Sequence, residues 1–399
     1  MIIGEVGGSK VEGHRVVITG IGAVSACGIG ATTLFDGLLA GTFTDDHSVP
    51  DFDPSTWFGP KEVRRVDRFA QLTVAAGVEA FEDSGLSFAD PYRVATIFGT
   101  GIGGMTTLTT QTNVLRDKGP DRVTPFLAPM MMPNAGGAQL AMRLGLMGPA
   151  ETITTACAAG THALGYAARL VASGRVDAAL AGGGESVLEP VAFAGFRNMT
   201  ALSTVGLSRP FDAARDGFVM AEGAGALVLE TLEHAQARGA RIYAEILGAA
   251  STADAFHITA PREDGAGALR CMQLALEDAG IGIDAVGHIN AHGTSTPLND
   301  LAESKAISSL FGATTPPVTS AKGVTGHSLG GAGAIEAVAS VLTIERGQIP
   351  QTVGTTEVDP EIAIDVVIGT PRTLEKPVIL SNSFSFGGHN GCLVIGRSS

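Results

Sequence analysis

Strands that alternate with helices along most of the 399 residues predict an α/β protein with parallel strand pairing. Hydrophobic residues make up 45% of the chain and charged residues 17%, so a large buried core is available. A third observation is an echo between two stretches. Thr155-Ala156-Cys157 opens a helix of small residues, and Ser320-Ala321-Lys322 does the same before Gly326-His327. An internal duplication leaves such an echo.

The elements follow in order. Residues 1–14 read as a loose tail without a signal-peptide pattern. Arg15 to Thr19 is β-branched and apolar, a buried strand turned by Gly20-Ile21-Gly22. A helix follows Ala31, and residues 45–60 form a loop rich in Pro and Asp. The next helix is expected over 61–83, and its start groups Lys61, Arg64, Arg65 and Arg68. These charges read as a solvated face, or as a local basic patch for an acidic partner.

Arg93 to Phe98 is the next strand, and Gly99-Thr100-Gly101-Ile102-Gly103-Gly104 fits G-x-G-x-x-G with Asp121 at a ribose-contact distance. Residues 105–118 are Thr-rich and lack the apolar period of a packed dinucleotide-fold helix, so a cavity-lining loop is expected there instead. A helix is expected over 130–144. A strand runs up to Cys157, and a small-residue helix leaves it. Ala178 to Ala181 is a strand turned by Gly182-Gly183-Gly184-Glu185, and 224–230 is another. After a surface helix at 231–239 the pattern restarts. Strand 244–247, helix 267–279, strands 286–290 and 318–320, helix 331–345 and a final pair at 378–380 and 392–395 complete the chain. A boundary near 243 and 244 divides it into halves, 15–243 and 244–399.

Composition limits the function. Charges of 26 against 40 give −14, which argues against general nucleic-acid binding. Cys27, Cys157, Cys271 and Cys392 are scattered, without metal-ligand spacing, so a reducing compartment and a cytoplasmic location are expected. No apolar run is long enough to span a bilayer.

Three stretches carry the chemistry. Cys157 stands where a strand passes into a helix, where free N–H groups and the helix dipole favour a thiolate and could hold an oxyanion. A buried structural cysteine is the ordinary alternative. His292, in Asn290-Ala291-His292-Gly293-Thr294-Ser295-Thr296, follows a strand end, where α/β proteins bind ligands. His327, in Lys322-Gly323-Val324-Thr325-Gly326-His327, is flanked by Lys322 and Glu336, whose pairing would solve the burial of both charges. Gly326-His327-Ser328-Leu329-Gly330 also fits the nucleophile elbow G-x-S-x-G, with Asp359 or Asp365 and then His389 behind it. That reading lacks a strand directly before the elbow and leaves Cys157 and His292 without a role. Spacing excludes zinc. Phe384-Ser385-Phe386-Gly387-Gly388 reads as a hinged lid beside an acyl-sized pocket, or as a tight turn between strands.

Together, Thr155 through His162, His292 through Thr296, Lys322 through His327 and Asn382 through Asn390 resemble the β-ketoacyl-acyl carrier protein synthases, most of all the type II elongating enzymes of fatty-acid synthesis. The resemblance covers residues 15–396. It implies a thiolase-like fold of two βαβαβαββ halves in five αβαβα layers, working as a homodimer. It implies Cys157 as acyl-accepting nucleophile, His292 and His327 as the pair that binds the malonyl thioester carbonyl, and Lys322 and Glu336 as their electrostatic support. The N–H groups of Cys157 and Phe386 would form the oxyanion hole, with Phe386 as gate beside Phe384. Thr294 and Thr296 would hold the phosphopantetheine arm, Ile102 would lie in the acyl tunnel, and Lys61, Arg64 and Arg65 would meet the acyl carrier protein. No organic cofactor is implied. Some relatives hold a structural Na+ or K+, for which Asn290, Ala291, Glu336, Ser381 and Asn382 are the matching groups.

Ser385 stands where that family usually has Gly, and His389 where Thr is usual. Residues 201–208 are a shortened loop behind Thr200, where a basic residue is common. These departures favour, as the alternative, the ketosynthase of a type II polyketide or polyene pathway paired with a chain-length-factor subunit.

Overall fold

A computed structural model describes residues 13–42 and 47–398. The expected tail thus lies almost wholly outside the described residues, as does the start of the expected loop at 45–60. In chain order the first part holds β1 (Val16–Ser25), β2 (Gly28–Ile29), α1 (Ala31–Ala40), α2 (Arg68–Ser84), β3 (Val94–Gly99), α3 (Met105–Lys118), α4 (Leu127–Met131), α5 (Ala135–Leu144), β4 (Ala150–Ile153), α6 (Ala159–Ala172), β5 (Ala178–Glu185), α7 (Pro190–Asn198), β6 (Gly223–Thr231) and α8 (Leu232–Ala237). The second holds β7 (Ala244–Ala253), α9 (Ala266–Ala279), β8 (His288–Asn290), α10 (Pro297–Phe311), β9 (Val318–Thr319), α11 (Lys322–Thr325), α12 (Ala332–Arg346), β10 (Gln348–Ile349), β11 (Arg372–Thr373), β12 (Val378–Ser385) and β13 (His389–Gly396).

The strands pair in the order β4-β3-β5-β6-β1-β7-β13-β12-β8-β9, with β2 added on β1. Outward from the β1–β7 contact, each arm runs through its own first, fifth, fourth, second and third strand. The directions repeat as well. β3 is parallel to β4 and β5 just as β8 is parallel to β9 and β12, while β5–β6 and β12–β13 are antiparallel. The sheet is therefore mixed rather than simply parallel, and the echo around Cys157 and His327 has a counterpart in topology.

Helices α6 and α12 pack between the arms. α6 touches β3 and β5 on one side and β7 and β13 on the other, and α12 touches β6 and β12. Their apolar residues, among them Leu164, Ile335 and Val338, join Leu229, Ile379 and Leu393 in one core. α2 covers the outer face of the first arm, and α9 and α10 that of the second.

Several expectations are corrected. β1 does not turn at Gly20–Gly22 but continues to Ser25 past a bulge between Ile18 and Gly20. A Cβ on Gly20 or Gly22 would lie 2.1 Å from a carbonyl oxygen of α2, so these glycines admit a helix against the strand. β5 likewise runs on to Glu185. The helix expected from residue 61 begins at Arg68, capped by the Asp67 carboxylate. Lys61, Arg64 and Arg65 lie in the turns ahead of it. Residues 105–118 form a helix rather than a cavity loop, and of its side chains only Thr107 is buried, which explains the missing apolar period. The expected 130–144 helix is two helices, α4 and α5, separated around Pro133.

α7 and α10 were not anticipated. The inner face of α10 carries Asp300, Glu303 and Ser304 among Ala302, Ala306 and Ile307, so the polar residues interrupt the apolar stripe that would mark a buried face. Its start was legible: Thr296 caps it and Pro297 takes the first helical position.

Candidate active site

Cys157 sits in a single 3₁₀ turn, Ala156–Ala158, between β4 and α6. Ala156 has φ +49°, a left-handed conformation unusual for a residue with a Cβ and common at sites under functional constraint. His292 follows β8 by two residues, and His327 follows α11. The His327 backbone is held at both polar groups, its N–H donating to Val219 O (2.8 Å) and its carbonyl accepting from Ala221 N–H (3.1 Å). The Cys157 sulfur and one ring nitrogen from each histidine lie within 4.8 Å of one another, all three residues buried. The two imidazoles meet edge to face at 5.4 Å, with Phe218 against His327 and Phe384 against His292.

The sulfur faces two backbone N–H groups, its own and that of Phe386, which favour its anion; Lys322 does so more strongly through its charge. Burial outweighs all three, and with the nearby Glu185 carboxylate it pushes the thiol up to about 12. The expectation of a dipole-stabilised thiolate is corrected: the resting group is a thiol. Burial also holds both histidines well below their ordinary range, reinforced by Lys322.

Lys322 organises the pair. Its ammonium donates to the Glu336 carboxylate, to His292 O (2.6 Å) and toward His292 Nδ1 (3.3 Å). All of these groups are buried. The charge pairing expected from sequence is present.

Two buried carboxylates were missed. Glu303 of α10 accepts the N–H groups of His292 (2.9 Å) and Gly293 (2.8 Å), one on each oxygen. Glu185 accepts the Thr100 hydroxyl at 2.9 Å and the N–H groups of Gly101, Ile102, Gly103 and Gly330. The glycine-rich loop that fits a dinucleotide motif thus gives its donors to the protein's own carboxylate. The nucleophile-elbow alternative also fails, because Asp359 pairs with Arg215 and Asp365 with Arg372, neither with His389.

A cavity of about 550 Å³ opens onto Cys157, His292 and His327, within the usual range for small-molecule sites. Thr294, Thr296, Phe384 and Phe386 line it, as do Thr200, noted in the sequence only as a departure from the usual basic residue, and Phe218, which sequence reasoning did not single out. The Thr294 and Thr296 hydroxyls are 2.9 Å apart. Ile102 lies outside this cavity and is 41% exposed. Lys61, Arg64 and Arg65 are exposed, with Arg65 over the Phe126 ring. Asn290 and Ala291 at the end of β8 and Ser381 and Asn382 in the middle of the neighbouring β12 are buried together, and Asn290 donates to Ser381 Oγ at 3.1 Å. Spacing alone excluded zinc, yet the fold does bring three nitrogen and sulfur ligands together; the adjacent Lys322 charge disfavours a divalent cation there.

A model of the β-ketoacyl synthase N-terminal domain matches residues 40–235, and one of the C-terminal domain matches 243–356. The 3-oxoacyl-(acyl-carrier-protein) synthase 2 of Synechocystis is 44% identical over 406 residues, covering 96% of this chain and 98% of the relative. The chain belongs to the β-ketoacyl-acyl carrier protein synthase family. The synthase 2 of Staphylococcus aureus is 43% identical with the same coverage. Among solved structures, the ishigamide ketosynthase/chain length factor superposes with a TM-score of 0.91 at 37% identity, over 97% of this chain and all of that one. A β-ketoacyl synthase from Burkholderia phymatum gives 0.88 at 34%, with the same coverage. This synthase is accordingly an acyltransferase with the mixed α/β ketosynthase fold. Among its described residues no helix is long and apolar enough to cross a membrane.

Proposed function

We propose that this synthase elongates fatty acyl chains by decarboxylative Claisen condensation, with Cys157 as nucleophile. The convergence of Cys157, His292 and His327 on one cavity carries the reading. In the first half-reaction the Cys157 sulfur attacks an acyl-carrier thioester. The S–C bond to Cys157 forms, the bond to the carrier breaks, and the thiol proton leaves with the carrier thiol. Malonyl-carrier then places its thioester carbonyl against the two imidazoles.

An ammonium has only protons to offer, so its approach to His292 Nδ1 requires that nitrogen to be bare and Nε2 to carry the hydrogen. His292 Nε2–H, together with His327, stabilises the enolate formed as CO₂ departs. The enolate carbon attacks the acyl-Cys157 carbonyl, whose oxyanion takes the N–H groups of Cys157 and Phe386. The C–S bond breaks, Cys157 leaves as a thiolate that takes one proton from solvent to return to the resting thiol, and a β-ketoacyl-carrier is released. Both histidines must be neutral to donate without surrendering a proton, which their burial favours.

Thr294 and Thr296 would hold the pantetheine arm, Phe384 and Phe386 would flank the acyl chain with Phe386 as gate, and Lys61, Arg64 and Arg65 would receive the acidic carrier. Ile102 would reach an acyl tunnel only through an assembly, and the family resemblance supports a homodimer. The packing of α6 and α12 between the arms supports a five-layer thiolase-like arrangement with its boundary near 243 and 244. The reaction needs no organic cofactor, and a cytoplasmic location fits the free cysteines.

Two buried oxygens, Glu336 Oε2 and Asn382 Oδ1, find no hydrogen-bond donor among the described residues, which fits a Na+ or K+ held with Asn290, Ala291 and Ser381. Such an ion would supply positive charge beside Glu336.

The second reading is a type II polyketide ketosynthase working with a chain-length-factor subunit. The likeness to the ishigamide ketosynthase/chain length factor, together with Ser385 and His389, favours it. Intact-protein mass after incubation with acyl carriers of several lengths tests both. A Cys157-dependent adduct from saturated chains, followed by β-ketoacyl product from the protein alone, supports fatty-acid elongation. Turnover only with an added ketosynthase-like subunit supports the second reading, and an adduct that survives in Cys157→Ala overturns both.

A further inference from the structure

The turn that carries Phe386 is tied to the Cys157 turn by one side chain. Ser385 ends β12, pairs with His389 across the turn, and places its hydroxyl among three carbonyls: Thr155 O at 3.0 Å, Phe386 O at 3.2 Å and His389 O at 3.2 Å. Two of these belong to the Phe386 turn. The third lies two residues before the nucleophile. A hydroxyl has one proton, and the shortest contact is the one that crosses to Thr155. Thr155 is held from its other end too, since its own hydroxyl is 2.8 Å from His162 Nδ1. On its outer side the Phe386 turn is fastened by backbone alone, through Gly387 N–H to Ile258 O (2.7 Å) and Asp254 N–H to Gly388 O (2.8 Å). Gly387 and Gly388 both have positive φ, so the segment beyond Phe386 is built from residues free to change conformation.

We infer that Ser385 is a positioning residue, which holds the Phe386 N–H on the Cys157 sulfur by bonding to the Thr155 carbonyl. The inference rests on Cys157 being the nucleophile. Both N–H groups that face the sulfur then sit at a fixed separation before substrate arrives. Such preorganisation matters because a donor misplaced by about 1 Å loses much of its effect on the transition state. Without the hydroxyl, the Phe386 turn keeps its outer ties and the β12–β13 ladder at its base but loses the side-chain bond that crosses to the Cys157 turn, so the second donor is less firmly fixed to the nucleophile.

The test compares wild type with Ser385→Ala, Ser385→Gly and Ser385→Thr. Single-turnover acylation by an acyl-carrier thioester is expected to fall about tenfold in the Ala and Gly variants, less than the roughly 10²–10³ lost when an oxyanion donor is removed outright. The apparent KM for the acyl carrier is expected to hold, and Ser385→Thr, which keeps the hydroxyl, to recover most of the rate. Iodoacetamide alkylation against pH reads the thiol without substrate, and its profile is expected to move to higher pH in Ser385→Ala and Ser385→Gly. Melting curves check folding. Should Ser385→Ala fail to fold, Ser385→Cys keeps the shape with a weaker donor and is expected to slow acylation at an unchanged melting temperature. Acylation and alkylation profiles in the Ala and Gly variants that match wild type would overturn the inference while leaving Cys157 as nucleophile. Absence of Cys157 acylation in wild type itself would instead overturn the function on which it rests.

Discussion

The ammonium of Lys322 stands 2.6 Å from the carbonyl oxygen of His292 and 3.3 Å from its Nδ1, so one charge fixes both the backbone and the tautomer of that histidine. Its third proton goes to Glu336, 14 residues along the chain in α12. The three groups are mutually dependent. Remove the ammonium, and a carboxylate and an imidazole nitrogen are both left buried without a donor.

Lys322→Met is therefore expected to destabilise the fold by about 3–5 kcal/mol, the usual consequence of leaving one buried charge unpaired. Adding Glu336→Leu should restore most of that stability, because a well-packed apolar pair replaces two charges. Condensation should stay lost in the double variant, since His292 Nδ1 still lacks its donor. Urea unfolding and malonyl decarboxylation, measured on both variants, separate the two roles. Decarboxylation by the double variant at the wild-type rate would show that Lys322 serves stability alone.

The thiol lies between opposing charges. Burial and Glu185 raise it, and Lys322 lowers it. A thiol pushed up to about 12 stays protonated throughout the neutral range, so iodoacetamide alkylation of Cys157 should keep rising beyond pH 9 without a plateau. Glu185→Gln should move the profile to lower pH, and Lys322→Met to higher pH. Movement of both in the same direction would refute this account of the site.

Glu303 gives a pH signature in stability. Burial raises its carboxyl to about 7, above the ordinary value of roughly 4.3. Between those values the folded protein holds a proton that the unfolded chain has released. The contribution of this group is thus full below the ordinary value and lost as pH rises through about 7. Glu303→Gln cannot ionise, so its denaturant-derived stability should lack that component of the slope. Gln also offers one acceptor oxygen where Glu303 offers two to His292 and Gly293. A fall in kcat of about tenfold is expected as His292 loses its fixed position. Identical slopes in the two proteins would contradict the assignment.

Much of this site was legible because its chemistry is carried by short, ordered motifs. Cys157, His292, His327 and Lys322 each sit in a Gly-, Ala- or Thr-rich turn, where a reactive side chain stands out against its neighbours. Glu303 and Glu185 were hidden for opposite reasons. Glu303 is one of three polar residues on a buried helix face that also carries Ala302, Ala306 and Ile307, and Glu185 ends a run of glycines that resembles a turn. The glycines misled for a physical reason. Sequence reports a missing side chain but not whether it frees the backbone or makes room for a neighbour. At Gly20, Gly22 and Gly182–Gly184 the second holds, because a Cβ would strike backbone or side chain within 2.0–2.7 Å.

Gly183 turns that distinction into a measurement. Its Cβ would lie 2.7 Å from Gly330 O, 2.9 Å from Gly160 Cα and 3.1 Å from Gly99 O, where three backbone segments converge behind Cys157. None of these atoms is the end of a flexible side chain, so the methyl group of Gly183→Ala must displace backbone. Overpacking of this kind costs about 1–3 kcal/mol. Gly282 is the control: nothing lies within 4 Å of its Cβ position, and its φ of −86° suits any residue. Gly282→Ala should be neutral or stabilise by up to about 1 kcal/mol through the unfolded chain. The displaced segments carry Gly101 and Gly330, whose N–H groups hold Glu185, so Gly183→Ala should also slow Cys157 acylation, whereas Gly282→Ala should not. Urea unfolding of the two variants gives the stability difference, and equal stabilities would mean that β5 tolerates a side chain where the packing leaves no space for one.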